Sequence, residues 1–139
     1  MSTIDAKGKC LCGAVNIQAK TLSTQVGACH CNTCRKWTGG PLLTVECKGE
    51  ALFSGQEQIS VYDSSDWAER GFCANCGTHL FYRLKPNNQY IFPAGLFEID
   101  DRLNFEHQIF IEQKPDYYCF SNQTKNMTGE EVFALFAGN

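Results

Sequence analysis

Seven of the nine cysteines in this chain of 139 residues fall into three close-spaced groups. These are Cys10-Leu-Cys12, Cys29-His-Cys31-Asn-Thr-Cys34 and Cys73-Ala-Asn-Cys76. Thiolates at such spacing serve metal or redox chemistry. In a reducing compartment stable disulfides are disfavoured, and an odd cysteine count leaves one residue over in any all-disulfide scheme.

Cys10, Cys12, Cys73 and Cys76 together supply the four thiolates of a closed tetrahedral zinc site, with sulfurs about 2.3 Å from the ion. Glycine follows each pair, at Gly13 and Gly77, where a tight ligand turn requires close backbone approach. A metal clip across so long a loop stabilises the fold. The rival is a redox disulfide at Cys73 and Cys76, for which the βαβ context of thioredoxin-like motifs is missing.

Cys29, Cys31 and Cys34 offer three more thiolates. Three protein ligands and an open fourth position is the pattern of catalytic zinc. Three thiolates overcompensate a dication, so such an ion activates water poorly and suits an exogenous thiolate as fourth ligand. His30 lies between two ligands and, in extended chain, points to the other side, toward a packing role. The alternative is a second closed site completed by His30 or Cys47, and a site that fills only with substrate is a third reading. Arg35 and Lys36 follow; they offset the anionic zinc–thiolate centre or attract a carboxylate-bearing ligand, with a solvated helix face as the alternative and the preferred reading for Lys36. Trp37 reads as a core or lid residue. Cys47 and Cys119 read as buried small hydrophobes, His79 and His107 as structural histidines with proton shuttling as the alternative. Arg70, Arg83 and Lys114 read as solvated cations, with contact to the carboxylates of a bound thiol ligand as the alternative.

The elements that position these groups are mostly strands. Segments 14–19, 42–47, 59–62, 79–83, 90–92 and 108–112 alternate or are rich in β-branched and aromatic residues, with Gly and Asn between them. Two segments predict helices: one turn at 32–38, and a stretch to Phe136 opened by the capping box Thr128-Gly-Glu-Glu131. The length fits one domain, 1–139. With 12 Lys and Arg against 15 Asp and Glu, and no dense basic run, the chain lacks the electrostatic footprint of a nucleic-acid binder. No apolar run approaches the roughly 20 residues that span a bilayer, and the first residues lack a secretory apolar region. The expectation is a cytoplasmic protein with no membrane partner; its oligomeric state is open.

The order and spacing of these motifs resemble the glutathione-dependent formaldehyde-activating enzyme family, which includes centromere protein V. The matching stretches are 8–15, 27–36 and 70–80, and 107–115 is similar to the family's closing strand with its His and Lys-Pro. The resemblance runs from about Gly8 to Tyr117. It implies a mainly β fold of the β-tent kind, several curled antiparallel sheets around a structural zinc, with short helices. It implies Cys10, Cys12, Cys73 and Cys76 as structural ligands and Cys29, Cys31 and Cys34 as ligands of a functional zinc. The implied reaction is that of a carbon–sulfur lyase run in reverse, joining glutathione or a similar small thiol to formaldehyde or another aldehyde. The alternatives are a non-catalytic thiol carrier and a zinc-stabilised interaction domain. A Trp that often follows the family's Lys-Pro is replaced here by Asp116, Tyr117 and Tyr118.

Overall fold

The structure is a computed structural model that describes residues 2–137. It is mainly β. In chain order the strands are β1 (Thr3–Lys9), β2 (Asn16–Ser23), β3 (Gln25–Cys29), β4 (Leu42–Glu46), β5 (Ala51–Ser54) and β6 (Ile59–Tyr62). They continue as β7 (Ala68–Cys73), β8 (His79–Leu84), β9 (Gln89–Pro93), β10 (Asn104–Ile109) and β11 (Lys125–Asn126). Two α-helices, α1 (Asn32–Thr38) and α2 (Gly129–Ala137), complete it. The chain forms two compact units, one from the segments up to Thr24 and Val45–Leu103, the other from Gln25–Thr44 and the chain from Asn104.

In the first unit β1, β2 and β5 make an antiparallel three-stranded sheet, and β9, β8, β7 and β6 pair in that order. Val15, Ile17 and Ala19 alternate inward, as the sequence pattern requires of a half-buried strand. Phe53, Phe81, Tyr90 and Phe92 form an aromatic cluster, with Phe81 and Tyr90 edge to face at 5.0 Å. Phe81 lies over Gly71, its register partner on β7, where any β-carbon would strike the ring.

In the second unit β10 runs parallel to β3 and β11, and β3 pairs antiparallel with the first residues of β4. The segment 32–38 is helical as expected. The capping box also forms: Thr128 Oγ1 accepts from Glu131 N–H at 3.1 Å, and Glu131 Oε1 accepts from Thr128 N–H at 2.9 Å.

Several expectations need correction. The strand expected over 108–112 ends at Ile109, because Phe110 adopts a left-handed φ of 55° and 111–113 form a 3-10 turn. Strands β1, β3, β5, β7 and β11 were not anticipated. In β1, β3 and β7 the buried positions include the small or polar Ala6, Ala28 and Arg70, so no run of large apolar residues marks these three. Arg70 is buried rather than solvated, with its guanidinium 5.3 Å from the Tyr82 ring centroid. Cys119 is exposed, whereas Cys47 is buried as expected. Among the described residues no helix is long and apolar enough to cross a membrane.

Candidate metal centres

Cys10 follows directly on β1 and Cys73 closes β7, and each delivers a buried sulfur. The turns that follow bring back Cys12 and Cys76. Both turns need a residue at positive φ, supplied by Gly13 at 78° and Gly77 at 79°. The four Sγ atoms lie within 4.8 Å of one another. Cys10 to Cys12 is 3.6 Å and Cys12 to Cys73 is 3.8 Å. A tetrahedron with Zn–S bonds of about 2.3 Å has sulfurs about 3.8 Å apart, so these residues fit zinc. Thr78 ties the two turns together, its Oγ1 accepting from Leu11 N–H at 3.1 Å and lying 3.1 Å from Cys76 Sγ. That contact holds the Cys76 thiol down at about 5, while burial pushes Cys73 up to about 11.

Cys29, Cys31 and Cys34 form the second group, again with all sulfurs within 4.8 Å of one another. Cys29 ends β3, and Cys31 is the N-cap of α1, its sulfur accepting from Cys34 N–H at 3.3 Å. One turn of helix then returns Cys34 to the same side. Cys29 and Cys34 are buried and Cys31 is half-buried. The neighbouring Cys31 and Cys34 thiols, with burial, drive the Cys29 thiol far above its ordinary range. Three thiolates cannot share this space without a cation, and a divalent metal is what the donor set fits.

No fourth His, Cys, Asp or Glu joins this group among the described residues. His30 is fully buried and its ring nitrogens are engaged elsewhere. Gln108 Nε2 donates to Thr124 Oγ1 at 2.8 Å, so Gln108 Oε1 faces His30 Nε2 at 2.8 Å as acceptor. His30 Nδ1 then accepts from the Tyr118 hydroxyl at 2.7 Å. Burial, helped by the charges of Lys114 and Arg35, lowers the His30 pKa and keeps the ring neutral. Cys47 Sγ is directed at the carbonyls of Lys20 and Gly49, at 3.3 and 3.4 Å.

Arg35 braces the ligand loop. Its Nε donates to the His30 carbonyl at 2.9 Å and its Nη2 to Asn32 Oδ1 at 2.6 Å. Gln113 Oε1 accepts from Asn32 N–H at 2.8 Å and so satisfies a donor of the first helical turn. The sequence reading missed Gln108, Gln113 and Tyr118. Only pairing β10 with β3 brings them to the site, and no local spacing signals it.

The family model described as "Glutathione-dependent formaldehyde-activating enzyme" matches residues 5–113. A Schizosaccharomyces pombe protein named an uncharacterized lyase is 38% identical over 127 residues, covering 91% of this chain and 93% of its own. The crystal structure of a Rhodobacter sphaeroides protein shares the fold, with a TM-score of 0.57 and 24% identity over 71% of this chain and 96% of its own. The cysteine motifs, the mainly β fold and these matches converge: the chain belongs to the glutathione-dependent formaldehyde-activating enzyme family.

Proposed function

We propose that residues 1–139 act as a single cytoplasmic zinc-binding domain with carbon–sulfur lyase-type activity. It joins glutathione, or a similar small thiol, to formaldehyde or another aldehyde. Cys10, Cys12, Cys73 and Cys76 would hold a structural zinc. Cys29, Cys31 and Cys34 would hold the functional one, which when bound keeps a substrate sulfur as thiolate.

The observation that carries this reading is the three-sulfur group joined by no fourth His, Cys, Asp or Glu among the described residues. Partial exposure is confined to Cys31, so an incoming sulfur approaches from that side. Supporting it, the matching family is described as glutathione-dependent, and the S. pombe relative is named a lyase. Arg35 and Lys114 would offset the negative charge of a peptide thiol, Lys114 from its place 5.4 Å from the Tyr118 ring centroid.

The test is the rate of hemithioacetal formation from glutathione and formaldehyde. Zinc-loaded protein should accelerate it, and Cys31→Ser should abolish the gain. Thiol binding without any acceleration would make the protein a carrier and refute the lyase reading.

A further inference from the structure

Glu106 and His107 are neighbours in sequence, yet their side chains meet, with His107 Nδ1 2.6 Å from Glu106 Oε1. In a regular strand adjacent side chains point to opposite faces. Here the register of β10 against β3 slips between Phe105 and His107, and this bulge brings the pair together. His107 is then the register partner of Gly27, and Ile109 that of Cys29.

The imidazole fills the hollow over Gly27. A β-carbon built on Gly27 would lie 2.1 Å from His107 Nε2. The ring therefore occupies the face toward which Gly27 would direct a side chain. Residues two apart on a strand share a face, so this is also the face of Cys29, about 7 Å further along β3. His30 and Gln108 occupy the opposite face, as their mutual hydrogen bond requires. His107 and Glu106 keep 25% and 35% of their side-chain surface exposed, so the dyad is open to a small ligand.

We propose that His107, oriented by Glu106, is a catalytic acid–base residue for the reaction at the Cys29, Cys31 and Cys34 site. This rests on the thiol-site reading above. With Nδ1–H donating to Glu106, Nε2 carries the lone pair. As a thiol enters the site, its S–H bond breaks and the proton passes to Nε2, giving an imidazolium paired with the Glu106 carboxylate. The thiolate sulfur then forms a bond to the carbonyl carbon, and the C=O π pair moves to oxygen. The alkoxide takes the proton from Nε2–H, leaving a hemithioacetal and neutral His107. The thiol proton ends on the product hydroxyl, so no further reactant is needed. The substrate class follows: a protonated thiol and a small aldehyde.

The test is calorimetric titration of glutathione into zinc-loaded protein at about pH 7.5, where the free thiol is mostly protonated. Buffers of different ionisation enthalpy count the protons released. Wild type should release close to none per thiol bound, and His107→Gln about one. The variant should keep its zinc and circular dichroism while losing about 10²-fold or more in rate of adduct formation. Gly27→Ala, which evicts the ring without removing it, should reproduce both effects. Equal proton release by wild type and His107→Gln, or an undiminished rate, overturns the proposal. Absence of any glutathione binding to wild type overturns the thiol-site reading and this assignment with it.

Discussion

The Tyr118 hydroxyl lies 2.7 Å from Nδ1 of His30, a histidine set between two zinc-ligand candidates yet aimed away from them. Their rings also stack, with centroids 5.5 Å apart. The contact begins a one-way chain of donors: Tyr118 to His30, His30 to Gln108, Gln108 to Thr124, and Thr124 to Asn126. It fixes the neutral ring with its proton on Nε2. The segment 29–34 is thus anchored from behind through His30.

Gln108→Leu should therefore destabilise the protein, because it strands the buried N–H of His30. The cost of one such group is about 1–3 kcal/mol. Tyr118→Phe strands an acceptor instead and should cost less. Urea unfolding of the zinc-loaded variants measures both. Their effects should fall short of additive, since both act on one ring.

The two thiolate groups should respond differently to loss of one sulfur. Cys73→Ser should give insoluble or low-melting protein, because metal binding at a closed site is folding free energy. Cys31→Ser should keep the native circular dichroism and lose one zinc per chain on mild chelation. Elemental analysis beside thermal melting checks both outcomes. Simultaneous loss of both metals with unfolding would make the second site structural.

Arg35 bridges the His30 carbonyl and Asn32 Oδ1 with separate guanidinium nitrogens. Lysine keeps the charge but not this fork. Arg35→Lys should thus weaken zinc at the Cys29, Cys31 and Cys34 site about 10-fold, as expected when a ligand's supporting contact is lost. Competition with a chromophoric chelator reads this affinity, and the four-thiolate site should be unaffected.

The start of α2 depends on its capping box. Thr128→Ala should cost about 1 kcal/mol. The backbone and side chain of Thr128 hold the Glu131 carboxyl below its ordinary value. A depressed carboxylate stabilises the fold above its unfolded pKa, and that contribution is lost as pH falls through the folded value. Denaturation curves of wild type and Glu131→Gln should accordingly converge in acid.

Both thiolate groups, both helices and the β class were legible in the sequence because each has a local signature. Cysteine spacing reports thiols that can converge, and Thr128 with Glu131 reports a helix start. The strands built on Ala6, Ala28 and Arg70 were hidden, since burial there comes from close packing rather than large apolar side chains. Arg70 and Cys119 were misread for the same reason: exposure of a lone residue is decided by its neighbours in space. The bulge that turns His107 onto the Cys29 face leaves no mark on local composition.

Cobalt in the Cys29, Cys31 and Cys34 site tests the central claim most directly. Its visible d–d and sulfur charge-transfer bands report the number of sulfurs bound. Addition of glutathione should shift the bands toward a four-sulfur tetrahedral spectrum, and Cys31→Ser should remove that response while leaving the four-thiolate site intact. An unchanged spectrum at saturating glutathione would contradict the account.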